Sequence, residues 1–181
     1  MAAGATMHTF EVQLADTDRG VYEQFSVRAA RHPSETEAYL VTRLLAYCLE
    51  YQDGIAFSEG ISATDEPAVL VRDLSGALLV WIEIGAPDAA RLHTGSKAAE
   101  RTVVYTHRDP AKVAAPWAGA KIHRADEIML HSFDPGFIDA AVDAIERRNT
   151  VTLTVTEAQL YAEVNGVHLS STIHSQPVVA G

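Results

Sequence analysis

The chain has almost no cysteine. Cys48 is the single one, set in an apolar helical pattern, so a disulfide framework and a cysteine-rich zinc site are both excluded. A small buried hydrophobe is the role its surroundings suggest. No apolar run reaches the ~18 residues needed to cross a bilayer. The opening "MAAGATMHTFEVQL" lacks the basic end and apolar centre of a secretion signal, so a cytoplasmic protein with no membrane partner is expected. Positive charge is scarce too. Fourteen Lys and Arg face 24 Asp and Glu, a formal net charge of −10, and the best basic group is Arg147 with Arg148. Routine binding to a phosphate backbone runs on clustered cations, so any affinity for nucleic acid is expected to be weak and to need a metal ion or a local basic patch. No glycine-rich phosphate loop is present, because "GISATDEP" and "GSKAAE" lack the second glycine at the required spacing. There is no GxSxG elbow for a serine nucleophile. The eight histidines show no close pairing in sequence, the nearest being His123 with His131 and His168 with His174, which leaves a histidine-based zinc site without ligands.

What is present is an ordinary globular composition, 48% apolar and 21% charged over 181 residues, enough for one domain spanning residues 1–181. Phe10, Val12 and Leu14 alternate with polar residues as in a half-buried strand, and "GVYEQFSVRAA" reads as its antiparallel partner across the turn "DTDRG". In "RHPSETEAYLVTRLLAYCLEYQDG" the apolar residues Leu40, Val41, Leu44, Leu45 and Cys48 repeat at helical spacing. Ser34 and Glu37 stand in the positions of a capping box. His32 reads as a hydrogen-bonding scaffold residue. Residues 67–73 and 78–84 read as two strands around "LSGA", "PDAARLHTGSKAAE" as a helix weakened by Gly95, and "TVVYTH" as a strand. A short helix from Asp109, a strand or two in "KIHRADEIMLHSF", an amphipathic helix in "DPGFIDAAVDAIERRN" and a closing hairpin in "TVTLTVTEAQLYAEVNG" complete the chain. The fold class expected is α/β, a mixed β-sheet flanked by helices with additional hairpins at both ends.

One residue is out of place. Glu83 lies within "LLVWIEI", a strand apolar on both faces and so expected to be central in its sheet, and carboxylates are rarely buried without a partner. If "SG" is a two-residue turn, Glu83 faces Ala68 and Gly85 faces Glu66. Glu66 and Glu83 then share one side of the hairpin, with Asp73 on the other. Two like charges on a partly buried face repel unless a proton or a cation lies between them, and a hard divalent ion held by carboxylate oxygens would serve. At 100° per residue Glu37 falls in the apolar stripe of the first helix and Glu35 on its far side, so Glu37 is the candidate third carboxylate. Each has a plainer reading. Glu37 completes a capping box, Glu66 is a solvated residue at a strand entrance, Asp73 is a turn residue, and Glu83 reaches water or an arginine at the strand end.

The segments "ARHPSETEAYLVTRLLAY", "DEP" at 65–67, "WIEIGAPD" at 81–88 and "TVVYTH" resemble the YaeQ family, in the same order through most of the chain. The resemblance implies a restriction-endonuclease-like core, a variant of the PD-(D/E)xK nuclease superfamily. In active members of that superfamily, carboxylates on the two hairpin strands hold Mg²⁺ and a lysine two residues after the second acid assists the attacking water. Carried over residue by residue, Pro67 and Glu83 match. Ala68 stands where the superfamily has aspartate, and Gly85 occupies the lysine position. Relatives offer basic residues early in the next helix, where this chain has His93 and Thr94, and Lys97 is the candidate replacement.

Two functions follow as expectations. One is a Mg²⁺- or Mn²⁺-dependent nuclease or phosphodiesterase, with Glu66 and Glu83 as metal ligands, Glu37 as auxiliary carboxylate and Lys97 as electrostatic stabiliser. The other is a catalytically degenerate nuclease-fold protein that acts as a binding or interaction module, favoured by Ala68, Gly85 and the acidic net charge.

Overall fold

A computed structural model describes residues 4–58 and 66–179. In chain order the elements are β1 (Thr6–Asp16), β2 (Val21–Arg31), α1 (Glu37–Leu49), β3 (Ile55–Phe57), β4 (Val69–Arg72), β5 (Leu78–Ile84), α2 (Ala89–Ala98) and β6 (Arg101–Tyr105). They continue with α3 (Pro110–Ala114), β7 (Met129–Phe133), α4 (Phe137–Ala144), β8 (Arg148–Thr156), β9 (Gln159–Val164) and β10 (Val167–Pro177). The fold is mixed α/β. Among the described residues no helix is long and apolar enough to cross a membrane.

The described chain falls into two compact units, one of residues 1–44 and 133–174, the other of residues 45–132 and 175–181. In the first, β2 and β1 pair antiparallel, β1 and β8 parallel, and β8, β9 and β10 antiparallel in succession. Phe10, Val12, Leu14, Leu153 and Leu160 are all buried, as the alternation in β1, β8 and β9 requires. The hairpins expected at both ends are therefore present. The C-terminal one carries a third strand, β10, that the sequence did not announce. Val167, Leu169 and Ile173 alternate with polar residues in it, but Ser171 breaks the apolar series and is the one buried residue of the eleven.

α1 begins two residues later than Ser34 implies. Thr36 is the cap, its Oγ1 accepting from the Tyr39 N–H at 3.0 Å, and Ser34 is instead bonded to His32 Nδ1, 2.8 Å from its Oγ. The capping-box assignment of Ser34 with Glu37 is thereby corrected. The placement of Glu37 in the buried stripe is corrected too, since Glu37 is exposed and Glu35 is the buried one. Counting 100° steps through Glu35 assumes a helix that has not yet started. Glu35 precedes the cap, and its carboxylate turns inward to Arg43, 3.6 Å away. Beyond this first turn the stripe holds, with Leu40, Val41, Leu44, Leu45 and Cys48 all buried.

The second unit positions the candidate site. β3, β4 and β5 form an antiparallel meander, and β5, β6 and β7 run parallel. β5 is central between β4 and β6, as its two apolar faces imply. α2 is the crossover from β5 to β6, and α3 lies on the connection from β6 to β7. Leu92 of α2, Val104 of β6 and Trp117 sit in one buried cluster with Val113, Ile128 and Leu130. Trp117 is fully buried and its indole Nε1 donates to Pro87 O at 2.9 Å, which pins the turn leading into α2.

Candidate functional site

The β4–β5 hairpin has the expected register, with Val69 opposite Ile82, Leu70 opposite Trp81 and Val71 opposite Val80. Continuing it by one residue puts Ala68 across from Glu83. The turn is longer than "SG", however. Asp73 N–H donates to Ala77 O, Asp73 Oδ1 accepts from the Ser75 and Ala77 amides, and an irregularity between Val71 and Arg72 absorbs the extra residue. Asp73 is thus the turn residue its plainer reading described. Those hydrogen bonds, the Ser75 hydroxyl foremost, hold its carboxyl below the ordinary aspartate range.

Trp81 and Glu83 share the face of β5 that α2 covers, and two matched spacings dock the helix. Four helical residues rise ~6 Å and two strand residues ~6.6 Å. Gly95 lies against the Trp81 indole, and Arg91, one turn earlier on the same side of α2, lies against Glu83. Asp88 starts the helix, its Oδ1 accepting from the Arg91 N–H at 2.9 Å. At the other end Arg124 donates to Ser96 O and Ala99 O at 2.6 and 2.8 Å, closing the last carbonyls of α2.

Glu83 is 4% exposed and is held by both nitrogens of one guanidinium edge. Arg91 Nε donates to Oε2 at 2.6 Å and Nη2 to Oε1 at 3.1 Å. Arg91 Nη2 also donates to the main-chain carbonyl of Glu66 at 2.8 Å. The Glu66 carboxylate turns to Arg72, 3.5 Å away, and Arg72 donates a second bond to Gly76 O. This bidentate, charge-assisted geometry is the strong form of a carboxylate–guanidinium pair. The arginine that the plainer reading of Glu83 allowed for is therefore present, eight residues downstream of it.

Of the four site residues expected from sequence, Glu66 and Glu83 come together at one end of the hairpin, bridged by Arg91. Lys97 is exposed near the end of α2, and Glu37 is exposed at the start of α1 in the other unit. Asp65, the first residue of the "DEP" motif, lies outside the described residues. Among the described residues, no three of the His, Cys, Asp and Glu side chains are grouped so as to hold a metal ion. As they stand, Glu66 and Glu83 do not fit a divalent cation, because a guanidinium already occupies the position between the Glu83 carboxylate and the Glu66 backbone. Arg91 was missed because the search from sequence was for a lysine. The signal that could have found it is Gly95, since a glycine inside a helix marks a close approach and Arg91 lies one turn before it on the same face.

A second polar cluster gave no sequence signal. Glu50 is buried just beyond the end of α1, its carboxylate paired with Arg101 and accepting from the Tyr105 hydroxyl at 2.6 Å. The Tyr105 ring packs on His131, whose Nδ1 is 2.7 Å from Ser175 Oγ. Burial depresses the His131 pKa, Arg101 pushes the same way, and Glu50 opposes it. A folded-state pKa below the ordinary ~6.5 means that the unfolded chain binds the proton first. The stability contributed by neutral His131 is complete above that value and declines as pH falls from it toward the folded-state pKa. His131→Phe should remove this component, which urea unfolding measured at a series of acidic pH values would detect.

The comparisons with known proteins agree with one another. The family model described as "YaeQ protein" matches residues 1–173. The uncharacterised protein YaeQ of Salmonella typhi is 26% identical over 182 residues, 98% of this chain and 99% of that protein. Its counterpart in Escherichia coli K12 is 34% identical over 111 residues, 61% of each chain. The crystal structure of YaeQ from Pseudomonas syringae superposes with a TM-score of 0.85 at 29% identity, covering 94% of this chain and 95% of that one. The structure from Xanthomonas axonopodis pv. citri gives 0.87 at 28% identity, with 96% and 98% covered.

Proposed function

The chain belongs to the YaeQ family, and on that premise we propose that it is a binding or interaction module built on a restriction-endonuclease-like core in which Arg91 replaces the catalytic cation. The single observation that carries this reading is the two-pronged grip of Arg91 on buried Glu83. With Ala68 in the aspartate position the site keeps one strand carboxylate, and one guanidinium balances one charge where two carboxylates would call for a dication. Gly85 supplies no lysine. The order helix, three-stranded meander, crossover helix and parallel strand supports descent from the PD-(D/E)xK architecture.

Purified protein incubated with single- and double-stranded DNA and RNA plus Mg²⁺ or Mn²⁺ should leave all of them intact. Calorimetric titration should show no micromolar Mg²⁺ or Mn²⁺ binding. A micromolar site abolished by Glu83→Gln would overturn the proposal.

A second reading keeps the enzyme, with Glu66 and Glu83 as ligands of Mg²⁺ or Mn²⁺ and Glu37 and Lys97 in supporting roles. What favours it is that the Arg91 side chain is 31% exposed and has solvent to withdraw into, which would release the Glu83 carboxylate. The two readings separate on Arg91→Ala. In the second this variant gains metal affinity and cleavage, whereas in the first it only loses stability.

A further inference from the structure

Two adjacent rows on one face of the sheet in the first unit differ in character from their surroundings. Register places Tyr22, Ala15, Thr154, Tyr161 and Ser170 in a single row across β2, β1, β8, β9 and β10. Tyr22 and Tyr161 are 62% and 53% exposed. They stand three strand spacings apart, roughly 14 Å. Only the short side chains of Ala15 and Thr154 lie between them. The row is a trough with an aromatic wall on each side. The neighbouring row holds Gln24, Gln13, Thr152, Glu163 and His168. An open depression of about 390 Å³ lies at the Tyr161 end, bounded by Thr154, Glu163, His168 and Ser170.

In a chain that is 21% charged, Glu163 is the one Asp, Glu, Lys or Arg among the ten residues of these two rows. A sheet face that only meets water needs polar side chains, but it does not need two large aromatic rings in register with a low floor between them. These two rows offer flat π surfaces, hydroxyls, amides and one carboxylate. Charge returns only farther along the same face, with Glu11 in the next row and Arg28 and Arg148 either side of Thr9 in the one after.

We infer that this trough binds an uncharged oligosaccharide. A pyranose ring has an apolar face of C–H groups, which lie with their positive ends on the negative face of a tyrosine ring. Its hydroxyls donate and accept alike, as do the threonine and serine hydroxyls and the glutamine amides here, and Glu163 adds a strong acceptor. A phosphodiester strand also stacks on aromatic rings, but it requires a cationic groove, and these rows contain no lysine or arginine. The site lies in the unit that does not contain Glu83, so it stands whatever cation Glu83 prefers.

The test is an array of neutral oligosaccharides from glucan, mannan, galactan and chitin, with sulfated glycans and oligo(U) as comparators, probed with the full chain. Calorimetry then follows on the best neutral binder. At least one neutral class should bind, with a dissociation constant of about 1 mM or tighter and little response to salt. Tyr22→Ala and Tyr161→Ala should each weaken it by about tenfold or more, whereas Tyr161→Trp keeps the stacking surface and retains binding. Lys112→Ala, at an exposed position of α3 in the other unit, should leave the affinity unchanged. Thermal unfolding of each variant checks that the exposed substitutions leave the fold intact. No neutral glycan bound, binding that survives both alanine variants, or a salt-dependent preference for oligo(U) would each overturn the inference.

Discussion

Arg91→Ala should lower the stability of the protein by about 3 kcal/mol, which for a chain of this length is a fall in Tm of roughly 10 °C. The Glu83 carboxylate, 4% exposed in the intact protein, would lose both of its guanidinium bonds, and the Glu66 carbonyl would lose its donor as well. Breaking a buried pair from one side costs more than removing both partners, because the survivor is an uncompensated charge. Glu83→Leu/Arg91→Leu should therefore be clearly more stable than Arg91→Ala alone. Denaturant unfolding of the two variants, with the wild type as reference, measures the difference. If the double variant were no better than the single one, the pair would not be the reason Glu83 is tolerated in the strand.

Gly95→Ala is the second large effect, and its sign runs against helix propensity. In isolation alanine would favour α2 by about 1 kcal/mol over glycine. In the folded protein a Cβ at this position would lie 2.7 Å from Cδ1 and Nε1 of Trp81, closer than real Cβ contacts come. Trp81 is 1% exposed and cannot step aside, so the helix itself must move. Overpacking of this kind costs about 1–3 kcal/mol, and any lift of α2 also pulls Arg91 away from Glu83. A net destabilisation of about 2 kcal/mol is expected, and Gly95→Ala/Trp81→Leu should be hurt less by the added methyl than the wild type is. Thermal or urea unfolding checks both. A stabilised Gly95→Ala would show that propensity outweighs the contact.

Gly95 also shows where the sequence stops being legible. Its presence in a helical segment was visible, and so was its cost, but the indole that requires it is fourteen residues away on β5. The β4–β5 register was readable because strand alternation and a turn-rich segment fix it locally, even though the turn proved longer than two residues. The burial of Glu83 followed from its apolar neighbours. Its partner did not, because resemblance to an active nuclease directs attention to a lysine near Gly85, and Arg91 answers a different requirement. Glu35 turned inward against the wheel because a helical wheel is valid only inside the helix and Glu35 precedes the cap Thr36. Glu37 is on the stripe but in the first turn of α1, and it is exposed there. Glu50, Tyr105 and His131 are far apart in sequence and carry no shared motif. In β10 Val167, Leu169 and Ile173 do alternate with polar residues, but Ser171 interrupts the apolar series, so its two-residue period is faint.

The central proposal is a single substitution of charge, Arg91 in the place that a nuclease ancestry would give to a metal ion. Crystals grown or soaked in millimolar MnCl₂ and measured at the manganese absorption edge test it directly. The prediction is no anomalous peak at the Glu83 carboxylate, with Arg91 still bonded to both of its oxygens. An anomalous peak between Glu66 and Glu83, with the Arg91 side chain swung into solvent, would contradict it.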